Sequence, residues 1–148
     1  MVEYNGAYDE RDCAAFLDEA VVPMRVSTHR PDGSPWIVTL WYRYRDGVFE
    51  CATRADAAIV DFLDRDDRVG IDVSTNTIPY RGVRGTGTVT IDPDEELEVL
   101  GALVDRYLGD RDHPLAQTLL DEDREEVCLR IDPDELFSWD YSERMEAA

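Results

Sequence analysis

At 148 residues, 43% of them hydrophobic, the chain has the length and composition of one globular domain with a single sizeable core. Its net charge is −19, from 34 acidic and 15 basic residues, and every basic residue is Arg. A field of that sign repels nucleic acid and anionic membrane surfaces, but leaves room for a small anion held by local Arg side chains.

The absence of Lys and the acid excess resemble surfaces adapted to concentrated salt, where screening relieves self-repulsion; an acidic mesophilic protein is the alternative. No run of about 18 apolar residues exists, so no membrane span is expected. Met1–Gly6 has neither the basic region nor the apolar core of a secretory leader, which points to the cytoplasm. Cys13, Cys51 and Cys128 have no paired spacing and read as buried or half-buried thiols. His29 and His113 are too scattered for a metal site or a His-based catalytic apparatus.

In chain order, Asp9 to Ala20 reads as a helix, with Cys13, Phe16, Leu17 and Ala20 at helical spacing and acidic residues in the first turn. Pro23 ends it. Three β-prone runs follow from Arg25 to Thr53, separated by the turn signals Pro31-Asp-Gly-Ser34 and Asp46-Gly47. The middle run, Trp36 to Tyr44, is apolar on both faces, as in a small barrel that also meets a partner subunit. Asp56 to Asp64 is expected to be a helix with the apolar stripe Ile59, Phe62 and Leu63.

Val69–Ser74 and Tyr80–Ile91 read as strands, the second carrying Gly85 and Gly87 at places where a bulge or a close backbone approach is expected. That Gly-x-Gly is not a dinucleotide fingerprint, because no helix follows it directly. Asp94 to Leu108 is a helix ended by Gly109, Leu115–Leu120 a short helix, and Val127–Ile131 the last strand. After Pro133 come Leu136-Phe-Ser-Trp-Asp-Tyr141 and a polar tail, 142–148. No linker or repeat divides the chain, so residues 1–148 are expected to form one domain, with the barrel over about 24–141.

Several pieces, in this order, carry a family resemblance: Arg30-Pro-Asp-Gly-Ser-Pro35, Thr39-Leu-Trp-Tyr42, Ala52-Thr53, Arg106-Tyr-Leu-Gly109, Cys128-Leu-Arg-Ile-Asp-Pro133 and Phe137-Ser-Trp-Asp140. Together, over Phe16 to Tyr141, they resemble the pyridoxamine 5'-phosphate oxidase-like family of flavin-binding split barrels. The resemblance implies a mainly β fold with flanking helices, a six-stranded antiparallel split barrel that works as a homodimer. It implies FMN or a deazaflavin at the subunit interface, with the ring along Ile37 to Trp41, so that Thr39 and Leu40 are the ring contacts.

The family's Ala-Thr-x-x-x-Ser-x-Lys phosphate pattern is matched only in part. Ala52 and Thr53 fit, and Arg54 offers a bidentate donor. Ala57 and Ile59 stand where the hydroxyl and the ammonium belong. Either Ile59 joins a buried helix face and the site is abandoned, or Arg54 neutralises the phosphate from the preceding loop. Arg81 and Trp139 stand at positions where the resemblance implies an approach to the cofactor, Trp139 to the partner's; pairing with carboxylates and a plain aromatic contact are the alternatives. No catalytic acid or base is assigned, because the flavin itself carries hydride or electron transfer. The expected activity is a flavin- or deazaflavin-dependent oxidoreductase acting on an unidentified small molecule. The alternative is a non-catalytic binding protein for a haem-like or lipidic molecule, or a dimer without a ligand.

Overall fold

The computed structural model describes residues 1–121 and 125–145, so the last three residues of the predicted tail lie outside it. Its strands are β1 (Glu3–Gly6), β2 (Met24–His29), β3 (Pro35–Leu40), β4 (Arg43–Arg45), β5 (Val48–Arg54), β6 (Arg68–Ser74), β7 (Arg81–Pro93) and β8 (Glu126–Asp140). The helices are α1 (Glu10–Glu19), α2 (Ala58–Arg65), α3 (Glu98–Tyr107) and α4 (Pro114–Leu119). One sheet holds all the strands in the order β3-β2-β6-β7-β8-β5-β4, with β1 added to β8.

The six-stranded antiparallel barrel expected from sequence is therefore corrected to eight strands among the described residues, one pair of which, β1 with β8, is parallel. The sheet does not close, because β3 and β4 are its end strands. β1 escaped sequence reading because it is short and mostly exposed; what it contributes is backbone, paired to Glu135–Ser138 beyond the point where β5 leaves that edge. β4 is separate because the run Trp36–Tyr44 breaks after Leu40. There the Tyr42 amide donates to the Tyr107 hydroxyl at 3.1 Å, and the Trp41 ring stacks on Tyr107 with centroids 5.0 Å apart.

Both turn signals hold. Gly33 and the pair Asp46–Gly47 take positive φ, at 85°, 54° and 77°, and Asp32 accepts from the Ser34 amide across the first turn. β8 runs on through Pro133, where sequence reading had ended it at Ile131. A bulge opposite Thr86 and Gly87 leaves Asp134 without a Cα partner. One extra residue reverses the alternation, so Leu129 and Ile131 face the core before it and Leu136 and Ser138 after it. Gly85 lies where backbones close in: a Cβ there would fall inside the contact shell of the Glu135 carbonyl. This is the close approach the glycines suggested.

The main core fills the concave side of the sheet. Met24, Val26, Ile71, Val73, Val83 and Leu136 meet α1 through Phe16 and Leu17, and α2 through Ile59 and Leu63. Each such side chain contributes roughly 1.5–3 kcal/mol on full burial. α1 is capped by Asp9, whose carboxylate accepts from the Asp12 amide at 2.8 Å. It has no basic residue in its last turn. Its terminal carbonyls are satisfied from elsewhere: Arg106 of α3 donates to Leu17, Asp18 and Ala20 at 2.9–3.1 Å, and the Tyr42 hydroxyl to Leu17 and Ala20.

α2 begins at Ala58, two residues later than expected, because Arg54 to Ala57 form a turn closed by the Ala57 amide on the Arg54 carbonyl. The third helix is also shorter than its periodicity. A 3-10 turn, Glu95–Leu97, precedes α3, and Glu96 and Leu97 take positive φ. That loop lets buried Asp94 reach forward and accept from the Val99 and Leu100 amides, both at 2.9 Å, capping α3 from upstream. α3 and α4 form smaller clusters against Trp41, Ala52 and Cys128 on the other side of the sheet. All three cysteines are free and buried.

Candidate functional site

Two surfaces stand out once the sheet is traced. The first is the seam left by the missing closure. β3 is an end strand, so one of its edges carries unpaired backbone N–H and C=O groups. β4 pairs with β5 only over Val48–Glu50, so Cys51–Arg54 also lacks a ladder partner on that edge, and β3 and β5 come near one another. Thr39 and Leu40 belong to β3, Thr53 and Arg54 to β5. Thr39 is exposed, Leu40 packs against the main core, and Thr53 is half-buried.

The phosphate positions divide. Ile59 is 3% exposed and belongs to the main core with Leu63, so burial is its role. Ala57 is half-buried, packs on the same core, and is the N-cap of α2 without a side-chain hydrogen bond. Of the first-turn amides of α2, that of Val60 donates to the Ala57 carbonyl at 3.0 Å. Arg54 is exposed and held by Asp56, Nε to Oδ1 at 3.1 Å. The seam thus offers backbone groups that suit a flat heterocycle. For a phosphate it offers one guanidinium, already paired, with neither a hydroxyl at 57 nor an ammonium at 59.

Arg81 and Trp139 are not brought together. The Arg81 guanidinium lies 5.2 Å from the Phe16 ring, on the α1 side. There the Tyr8 hydroxyl donates to Asp140 at 2.7 Å. Burial and the Asp140 contact raise the Tyr8 phenol above its ordinary value, whereas Ser142 and then Tyr8 lower the Asp140 carboxyl. Trp139 is on the opposite face, against Gly82 and under Arg84, whose guanidinium is 5.3 Å from it and 4.7 Å from the Phe137 ring.

That opposite face is the second surface. A cavity of about 530 Å³ lies on it, with Ile37, Arg25, Asp72, Arg84 and Phe137 among its walls and Gly70 and Gly85 in its floor. Arg25, Asp72, Arg84 and Phe137 are cross-strand neighbours in one row over β2, β6, β7 and β8. Sequence reading missed this row. Arg84 and Asp72 lie on different strands, and only the pairing register joins them.

Buried charge is concentrated at Glu50. Its Oε1 accepts from Arg43 Nε at 2.9 Å and Arg45 Nε at 3.0 Å. Burial alone would raise its carboxyl, but the two guanidinium groups outweigh it and hold the group below its ordinary value. Among the described residues no group of His, Cys, Asp and Glu is arranged to hold a metal ion, and no helix is long and apolar enough to cross a membrane.

The open antiparallel sheet with helices plugging its concave side is a split-barrel architecture, and solved structures carry it. A conserved hypothetical protein from Mycobacterium tuberculosis superposes with a TM-score of 0.77 at 25% identity, over 97% of this chain and 92% of that one. An F420 reductase superposes with a TM-score of 0.68 at 25% identity, over 81% of this chain and 92% of that one. A candidate pyridoxamine 5'-phosphate oxidase from Listeria innocua shares the fold with a TM-score of 0.65 at 12% identity, over 86% and 94% of the two chains. No protein-family profile matches the chain, and no curated protein matches it in sequence. The fold is that of the pyridoxamine 5'-phosphate oxidase-like split barrels, and these neighbours support the resemblance to that family.

Proposed function

We propose that the chain is a single-domain oxidoreductase that holds a flavin-type cofactor, FMN or a deazaflavin, in the seam between β3 and β5, and that it works as a homodimer in a salt-rich cytoplasm. The observation that carries this reading is the pair of strand edges, on β3 and β5, that lack a ladder partner and leave backbone groups of the kind a flat heterocycle needs. Similarity to an F420 reductase over 81% of the chain supports the deazaflavin form. The cofactor supplies hydride or electron transfer; Thr39 and Leu40 line its ring, and Thr53 and Arg54 stand at its phosphate end.

The chain's departures at Ala57 and Ile59 bear on affinity. With one guanidinium, shared with Asp56, FMN binds weakly, and Arg54 supplies most of the phosphate affinity that remains. The same departures favour a second reading, a non-catalytic binder of a haem-like or lipidic molecule in the same seam.

The visible spectrum of the purified protein tests both, followed by titration with FMN and with a deazaflavin. A flavin-type band, or saturable fluorescence quenching, is expected. Arg54→Ala should abolish FMN quenching, and Asp56→Asn, which frees Arg54, should strengthen it. A haem band selects the second reading. No saturable binding of either flavin overturns the first.

A further inference from the structure

Both ladders of the β3–β4 run lapse at the same two residues. Pairing with β2 ends at Met24–Leu40 and pairing with β5 begins at Arg43–Glu50, so no ladder reaches Trp41 or Tyr42. Carried on in register, the first would set Val22 opposite Tyr42, and the second would set Cys51 opposite the same residue. The group found there comes from α3 instead. The Tyr42 amide donates to the Tyr107 hydroxyl at 3.1 Å, and that hydroxyl donates to the Val22 carbonyl at 2.8 Å. An antiparallel rung joins amide and carbonyl directly, at about 2.9 Å. Here a hydroxyl stands inside the rung, and the strand leaves β2 at that point and goes over to β5.

The Tyr107 ring is fixed as well. Trp41 stacks on it, with centroids 5.0 Å and planes 5° apart. The Arg106 guanidinium lies 5.7 Å from its centroid while donating to the carbonyls that end α1. Burial raises the phenol above its ordinary value, so the hydroxyl keeps the proton it gives to Val22. Tyr107 thus holds the Trp41 side chain and the Tyr42 backbone together, immediately after Thr39 and Leu40. Those two residues have a sheet neighbour on the β2 side only, because β3 is an end strand.

We infer that Tyr107 is a positioning residue for the cofactor: its hydroxyl, standing between Tyr42 and Val22, fixes where the strand leaves β2 and so sets Thr39 and Leu40 against the ring. The inference rests on the reading of the seam as a flavin-type site. It adds a residue of α3 that acts through β3 without touching the ring. Contacts of this kind need their groups held to within about 0.5 Å, so a strand released at its end loses them.

Fluorescence-quenching titration tests it, with whichever of FMN and a deazaflavin the wild type binds more tightly. Tyr107→Phe keeps the stack on Trp41 and removes the hydroxyl, and should raise the dissociation constant at least about tenfold. Asp9→Ala removes the α1 cap and lowers stability without touching β3, and should leave the constant within about twofold. Coupling is reciprocal, so saturating cofactor should slow hydrogen exchange of the wild-type Tyr42 amide by the factor that Tyr107→Phe costs. That measurement needs no variant and serves if Tyr107→Phe does not fold, the expected slowing then being at least about tenfold. A folded Tyr107→Phe with wild-type affinity, an equal rise in Asp9→Ala, or Tyr42 exchange indifferent to cofactor overturns the inference and leaves the cofactor reading standing. A wild type that binds neither flavin overturns both.

Discussion

Replacing Glu50 by Gln removes the carboxylate that pairs with Arg43, and its cost follows from the burial of the pair. The Glu50 side chain is 9% exposed and that of Arg43 18%, so water cannot replace the lost contact well. Breaking a buried pair by removing one partner costs about 3–5 kcal/mol, most of it the penalty of the charge left behind. Arg45 is 56% exposed and recovers its hydration, so its share is that of a surface pair. Arg43 also keeps partial access to solvent, which brings the expected loss to about 2–3 kcal/mol. A domain of this size loses about 2–4 °C of melting temperature per kcal/mol, so Glu50→Gln should melt roughly 5–10 °C lower at fixed salt. A difference below about 1 °C would mean that the cluster contributes no net stability.

The same residue gives a pH signature. Because its folded pKa is depressed, Glu50 contributes full stability above its unfolded value, near about 4.3, and loses it as pH falls through the lower folded value. The gap between the wild type and Glu50→Gln should therefore be constant from pH 5 to 7 and should close progressively below about pH 4.3. A gap that persists undiminished at pH 2.5 would assign the destabilisation to lost shape.

Three further outcomes follow from other parts of the fold. The melting temperature should rise steeply between 0.1 M and 3 M potassium chloride, because a Debye length of about 3 Å at 1 M suppresses repulsion among charges summing to −19; a flat midpoint would remove self-repulsion as a factor. Ile59→Lys, which the family pattern alone would offer as a repaired phosphate ligand, should cost at least about 3 kcal/mol in denaturant melts, because it puts an ammonium in the main core; wild-type stability with tighter FMN binding would refute the core assignment. Asp94→Ala should cost about 2–3 kcal/mol by stranding the Val99 and Leu100 amides, and Asp94→Asn should recover part of it; equal melts for Asp94→Ala and the wild type would show that α3 needs no upstream cap.

What the sequence disclosed followed the kind of signal each element carries. α1 was legible because its cap, its acidic first turn and its apolar spacing agree. The hairpins were legible because Gly33 and Gly47 need positive φ. β8 was read short because period-two alternation stops at a bulge, and Asp134 reverses the phase so that Leu136 seems to belong to another element. The break near Trp41 was invisible because a remote residue causes it, Tyr107 taking the Tyr42 amide, and that near Glu96 because Asp94 caps α3 from upstream of its N-cap position. Of the candidate site, the phosphate end could be judged from Ile59, Phe62 and Leu63, whose spacing already indicated burial. The Asp72 row could not, because cross-strand neighbours are set by register and lie far apart in the chain.

β3 explains why its own sequence looked over-apolar. An ordinary end strand buries one face, wets the other and blunts its open edge. Here Val38 and Leu40 pack on the main core, Ile37 and Thr39 face outward, and one edge of the strand has no ladder partner. The inward face is accounted for within one chain. The outward face carries an isoleucine that is 66% exposed beside a balanced row of charges on an otherwise acidic protein. The edge carries backbone groups with nothing to pair in the sheet. A single strand therefore has one surface assigned to the fold, one suited to a second copy and one suited to a flat ligand.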